Sequence, residues 1–207
     1  MMFSCVASAI DFQGSGSFNI QGVNLVDQVE SSSAANDHAA IHVTGGSENT
    51  VTFGGSGVLY GYKCGLGAYI GSTATDELAC GNITVNSGTW NLKGTKTGPV
   101  IGNDMVSTNI GTITINGGEL HVKSVSQGAC IGGSKQGYAG PMVVNGGLVE
   151  SYMDGMAGTF GSGGGHLADD AYQGTLSITG GSVKTVISPN ASSWGGFNAG
   201  SVAVVSD

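Results

Sequence analysis

The sequence predicts an all-β fold, a single-stranded, right-handed parallel β-helix of about six coils, each of roughly thirty residues and three strands. Three observations carry that prediction. A short apolar triplet recurs at spacings of 33, 32, 30, 29 and 34 residues. Nearly every copy alternates apolar, polar, apolar, the mark of a strand with one dry face and one wet face. Each copy is followed by a glycine-rich corner, in a chain with 39 Gly, 3 Pro and 10% charged residues. The glycines lack the every-third-residue period and the proline of collagen, so they punctuate turns and do not build a triple helix.

The first strand of the repeat is read from Phe18-Asn19-Ile20, Val51-Thr52-Phe53, Ile83-Thr84-Val85, Ile113-Thr114-Ile115, Met142-Val143-Val144 and Leu176-Ser177-Ile178. Aligned in that register, Phe18, Val51, Ile83, Ile113, Met142 and Leu176 stack in one inward column. Ile20, Phe53, Val85, Ile115, Val144 and Ile178 stack in the next, with Asn19, Thr52, Thr84, Thr114, Val143 and Ser177 outward between them. The corner that follows holds Asn86, Asn116 and Asn145, each before Ser-Gly or Gly-Gly, with Thr179-Gly180-Gly181 as a variant. Glycine supplies the tight turn, and stacked Asn amides bond one another up the axis, a structural role.

A second strand leaves that corner. It is read with Val58, Trp90, Leu120, Val149 and Val183 at one inward level and Tyr60, Leu92, Val122 and Thr185 at another. The third segment is Gly67-Ala68-Tyr69-Ile70-Gly71, repeated as Gly98-Pro99-Val100-Ile101-Gly102, Gly128-Ala129-Cys130-Ile131-Gly132 and Ala157-Gly158-Thr159-Phe160-Gly161. Its inward plug is Ile70, Ile101, Ile131 and Phe160. One coil cannot bury its own apolar row, so each is stabilised by the coils above and below. Residues 18–200 are expected to form this solenoid. Residues 1–17 are read as a cap or a fragment edge, and residues 201–207, with Val202-Ala203-Val204-Val205, as a C-terminal strand or the start of a further coil.

Composition excludes several function classes. Fourteen carboxylates against six lysines, with no arginine, leave a net charge of −8, which repels nucleic acid and anionic lipid surfaces. No apolar run reaches the length of a membrane span, so no membrane insertion is expected. The opening Met1 to Ile10 is weakly apolar and lacks the basic start of a secretory signal. Cysteines 5, 64, 80 and 130 follow no zinc or thiol-exchange spacing; Cys64 and Cys80 share a repeat and either bridge a loop or remain free.

Gly111-Thr112-Ile113-Thr114-Ile115-Asn116-Gly117-Gly118 and Gly128-Ala129-Cys130-Ile131-Gly132-Gly133 resemble the glycine-rich "GTITINGG…GAGIGGG" β-helix repeats of large surface proteins of gut Firmicutes and related bacteria. The likeness covers residues 14 to about 185, with Asp37 to Val43 and Asn49 to Gly55 looking like less regular first coils. It implies an extracellular bacterial cell-surface module of carbohydrate-binding or adhesin-like type. It carries over no binding residue, and Gly158-Thr159-Phe160 and an enlarged loop at 161–173 depart from the pattern. Phage tail proteins use similar coils, so a tail receptor-binding protein is an alternative, as is a plain structural spacer.

Pectin-cleaving enzymes are also solenoids, which makes a polysaccharide-active enzyme the third alternative. A lyase of the pectate type, as resemblance to that class implies, draws its proton with an arginine beside calcium, and this chain has none. Hydrolysis needs two carboxylates facing one another across the bond. Asp169-Asp170, after His166, are adjacent in an extended loop and point apart, with Asp104 as a third carboxylate two coils earlier. They lack the Asp spacing of calcium loops, so they are weak metal candidates, no cofactor is expected, and the chain is read as non-enzymatic. His38 and His42 fall on one side of a strand without further ligands to make a metal site.

Two surfaces suit an extracellular polysaccharide. On the outward row of the second strand, Thr89, Asn91 and Lys93 lie beneath Glu119, His121 and Lys123, then Leu148, Glu150 and Tyr152, then Ser182, Lys184 and Val186. Such a grid of donors and acceptors matches sugar hydroxyls, with Glu119, His121, Lys123, Glu150 and Tyr152 as the ligand-binding candidates. The other surface is the loop edge, where Tyr138 and Tyr172 each precede a first strand by four residues and offer flat rings to sugars. Against these stand an ordinary solvated sheet face with cross-coil ion pairs, and simple loop packing.

Overall fold

The computed structural model describes residues 2–3, 7–28, 38–74, 76, 78–104, 109–135, 137–164, 174–189, 191, 197–198 and 201–204. After β1 (Met2–Phe3), the chain winds through six complete coils. The first coil is β2 (Ile10–Phe12), β3 (Gly16–Ile20) and β4 (Val23–Gln28). The second is β5 (Ile41–Val43), β6 (Thr50–Gly55) and β7 (Val58–Lys63), with one 3-10 turn at Gly46–Glu48. The third is β8 (Ile70–Gly71), β9 (Asn82–Val85) and β10 (Thr89–Gly94). The fourth is β11 (Ile101–Asn103), β12 (Ile113–Ile115) and β13 (Glu119–Ser124). The fifth is β14 (Ile131–Gly133), β15 (Met142–Val144) and β16 (Leu148–Met153). The sixth is β17 (Phe160–Gly161), β18 (Thr175–Ile178) and β19 (Ser182–Ile187), after which β20 (Phe197–Asn198) and β21 (Ser201–Val204) begin another turn.

Strands three apart in the chain are hydrogen-bonded neighbours, so three parallel sheets of seven strands run the length of a parallel β-helix. With strands about 4.8 Å apart, the six coils make a rod on the order of 30 Å tall. Ile83, Ile113, Met142 and Leu176 pair in one column, and Val85, Ile115, Val144 and Ile178 in the next, as the repeat predicts. Ile70, Ile101, Ile131 and Phe160 pair in the third sheet, which Ile41 and Ile10 extend at one end and Phe197 at the other. Among the side chains described in these three columns, all but Ile10 and Ile178 are at most 4 % exposed, so the core is a set of stacks and not a ball. Met2–Phe3 and Ile10–Phe12, in the segment set apart as a cap, pair with β4 and β5 and extend two of the sheets.

The Asn corner forms the expected ladder. Asn145 Nδ2 donates to Asn116 Oδ1 and Asn116 Nδ2 donates to Asn86 Oδ1, both at 2.9 Å, while Thr179 Oγ1 donates to Asn145 Oδ1 at 2.7 Å. Thr179 thus continues by hydroxyl what the others do by amide.

Two registers in the early coils differ from the sequence reading. Phe18 pairs with Phe53, and Gly16 with Val51, so β3 sits two residues from the expected alignment and Ser17, not Asn19, joins the Thr52 column. A two-residue shift preserves which side chains point inward. It brings Phe18 edge-on to Phe53 at 6.2 Å and to within 6.3 Å of Trp90. The second difference reverses faces. Trp90 pairs with Leu59 and Leu92 with Gly61, so Val58 and Tyr60 point outward. The corner from Phe53 to Val58 is one residue longer than the corner from Val85 to Thr89, and an odd slip turns every side chain over.

Gly61 has a packing reason. A Cβ there would lie 2.1 Å from the Tyr69 ring, which fills that slot and donates its hydroxyl to the Val26 carbonyl at 2.7 Å. Burial, with the nearby Asp27 charge, holds the Tyr69 phenol well above its ordinary range. Cys64, Cys80 and Cys130 are free thiols, so Cys64 and Cys80 do not bridge. Burial pushes Cys80 and Cys130 up to about 12, which leaves both protonated and unreactive at neutral pH.

Candidate functional site

The sheet of β4, β7, β10, β13, β16 and β19 presents a continuous outward face. Its registers stack Tyr60, Asn91, His121, Glu150 and Lys184 in one column. Tyr62, Lys93, Lys123, Tyr152 and Val186 form the next, and Val58, Thr89, Glu119, Leu148 and Ser182 the third. From β10 onward this is the expected grid. Strand alternation explains it, since the second, fourth and sixth residues of β10, β13 and β16 are buried, Trp90, Leu120 and Val149 among them, and the first, third and fifth face solvent.

Within the face, the side chains interact across coils. His121 Nδ1 meets Glu150 Oε2 at 3.0 Å, its Nε2 lies 3.8 Å from Glu119 Oε2, and Lys184 Nζ reaches Glu150 Oε1 at 3.4 Å. Hydrogen bonds from His121 and then Lys184 hold the Glu150 carboxyl below its ordinary range. Lys123 Nζ lies over the Tyr152 ring, 4.3 Å from its centroid, and Lys93 Nζ over Tyr62 at 5.4 Å. His121, Lys123, Glu150, Tyr152, Lys184 and Val186 line an open cleft of about 260 Å³. All five sheet-face candidates, Glu119, His121, Lys123, Glu150 and Tyr152, are therefore brought together.

Sequence reasoning missed the lower half of this face. Tyr60, 49 % exposed, was placed inward, and Val23 and Leu25 beneath it are 78 % and 51 % exposed. The missing signal was the length of the corner before Val58, which a count from Phe53 to the next strand reveals only once Leu59 is known to be the buried residue.

The loop edge is half visible. Tyr138 is half-buried beside Ile110, Pro141 and Thr175 along a cleft of about 220 Å³, and its carbonyl accepts from Asn103 Nδ2 at 3.0 Å. Tyr172 lies outside the described residues, as do His166, Asp169 and Asp170. Asp104 is half-buried, and its N–H donates to Ser72 Oγ at 2.7 Å.

A third constellation joins the first three coils. His42 Nδ1 meets Asp11 Oδ1 at 2.7 Å and Nε2 meets Asp76 Oδ2 at 2.8 Å, so each ring nitrogen faces a carboxylate and both donate when the imidazole is protonated. Asp76 also accepts from the Thr73 N–H at 2.8 Å and the Thr73 hydroxyl at 2.5 Å. Burial pulls the His42 pKa down, but the hydrogen bonds and charges of Asp76 and Asp11 outweigh it and the net shift is upward. Burial likewise pushes Asp76 up, and the bonds from His42 and Thr73 outweigh it, leaving Asp76 low. His38 and His42 line one open cleft of about 310 Å³ with Ser8, Asp11, Thr73 and Asp76. Both nitrogens of His42 are engaged, and no group of three or more His, Cys, Asp or Glu among the described residues is arranged to hold a metal ion. Asp11 and Asp76 carried no signal in the sequence, because one lies in an irregular first coil and the other in a loop.

In comparisons with family models, curated proteins and solved structures, none matched the chain.

Proposed function

We propose that the chain is a non-enzymatic module of a bacterial cell surface that binds extracellular polysaccharide through the outward face of β10, β13, β16 and β19. The observation that carries this reading is the cleft lined by His121, Lys123, Glu150, Tyr152 and Lys184 on a rigid sheet. An aromatic face bordered by fixed donors and acceptors is what a sugar ring needs, apolar contact on its flat side and hydrogen bonds at its edge. Backbone pairing on both flanks of β13 and β16 holds these groups in place, so little ordering entropy is lost on binding.

A glycan-array screen of the wild type and a His121→Ala, Tyr152→Ala double variant tests it. Binding that the double variant abolishes and a Tyr138→Ala variant retains is the expected result. One observation favours a second reading, the structural spacer: His121, Glu150 and Lys184 satisfy one another without a ligand. A wild type that retains no glycan on the array supports the spacer, and release of products from acidic or neutral polysaccharides would overturn the non-enzymatic reading.

A further inference from the structure

Lysine is scarce in this chain, six residues in all, yet Lys93, Lys123 and Lys184 share one sheet face. Lys93 and Lys123 sit directly opposite each other on β10 and β13. Like charges in that position repel, and each ammonium instead lies over a ring on the far side, Lys93 over Tyr62 and Lys123 over Tyr152. The column therefore reads ring, cation, cation, ring on four successive strands.

The carboxylates of the face are occupied elsewhere. Glu150 is held by His121 and Lys184, the cation beside Glu119 is His121, and Asp27 Oδ1 accepts the Tyr62 N–H at 3.0 Å. Among the described residues neither Lys93 nor Lys123 makes an ion pair. Two half-exposed lysines on adjacent strands, with no carboxylate between them, complement an anion.

We propose that this column is the subsite for the anionic group of a linear acidic polysaccharide, a uronate carboxylate or a sulfate ester, held between Lys93 and Lys123. Sugar rings on either side of the anion lie against Tyr62 and Tyr152, so the saccharide runs parallel to the solenoid axis. Tyr62 and Tyr152 are three strand spacings apart, about 14 Å, which accommodates a short run of rings. The net charge of −8 opposes a polyanion at long range, but at physiological salt such repulsion is screened beyond about 8 Å, and the local pair decides affinity. The inference rests on the saccharide-binding reading of this face and narrows its ligand class.

The test is calorimetric titration of the full chain with tetragalacturonate, its fully methyl-esterified neutral counterpart, and a chondroitin sulfate tetrasaccharide. The wild type is expected to bind at least one acidic probe about tenfold or more tightly than the ester, and which acid wins distinguishes carboxylate from sulfate. A Lys93→Gln, Lys123→Gln variant, with circular dichroism and melting temperature unchanged, is expected to lose that preference, its affinity for the acids falling to that for the ester. If the wild type binds ester and acids equally, or the variant keeps the preference, the anion subsite is wrong while saccharide binding stands. If none of the three probes binds, the anion subsite falls, and the glycan array decides separately whether the face binds saccharide at all.

Discussion

At the scale of single residues, Gly61 and His42 show opposite ways in which one side chain is dictated by another coil. Gly61 exists to leave room: its missing Cβ is the space that the Tyr69 ring occupies. Gly61→Ala is therefore expected to displace that ring and break its bond to Val26, at a cost of about 1–3 kcal/mol in urea denaturation. His42 instead gains from its neighbours. Its pKa is raised on folding, so its contribution to stability is complete below the unfolded value near 6.5 and is lost as pH rises through the folded value. Asp76 is lowered, so its contribution is present above the unfolded value near 3.8 and is lost as pH falls through the folded value. Both act together between about pH 4 and 6.5. The stability difference between wild type and His42→Gln should be largest in that window and shrink toward pH 8 and toward pH 2.5; a difference that grows with pH above 7 would show that the clamp does not hold an imidazolium.

At the scale of elements, the third sheet is governed by a glycine column. Gly71, Gly102, Gly132 and Gly161 follow the plug residues with φ of 143°, 135°, 134° and 107°. A Cβ on Gly71, Gly102 or Gly132 would lie 1.8 to 2.1 Å from the carbonyl oxygen of the glycine one coil on. Gly132→Ala thus meets both a backbone clash and a conformation that L residues resist, and is expected to lose about 2–5 kcal/mol by thermal or chemical denaturation. These glycines were visible in the sequence as the repeating Ile-Gly pair, because a column that admits one residue type leaves a period. The corner before Val58 was not legible in that way. Its extra residue changes no composition and disturbs no apolar spacing longer than one position, yet it reverses the faces of β7 and puts Tyr60 in solvent.

At the scale of the whole molecule, stability is passed between neighbouring coils, since each buries its apolar row only against the next. Interior coils are covered twice and terminal coils once. Hydrogen exchange should accordingly be slowest in β10 and β13 and faster toward β3 and β19, with opening that begins at the ends. Ile131, fully buried in the fifth coil, should cost about 2–5 kcal/mol on truncation to Ala, and half-buried Ile178 in the sixth coil clearly less. Uniform protection along the rod, or equal losses at the two positions, would point to a single cooperative unit in place of a stack.

The sequence alone determined the class of fold, the strand triplets, the plug column, the Asn ladder and, from β10 onward, the grid of outward side chains. Periodicity reports these because stacked side chains must fit their own copies one coil away. What the tertiary structure decided are the places where the repeat is broken or where partners come from different kinds of segment: the register of Phe18, the outward turn of Tyr60, the Tyr69 ring over Gly61, and the clamp of Asp11, His42 and Asp76. The repeat is irregular at each of these places, even where partners are in register as Asp11 and His42 are on β2 and β5, so only the winding of the chain, which sets corner lengths and brings loops against strands, places them in contact.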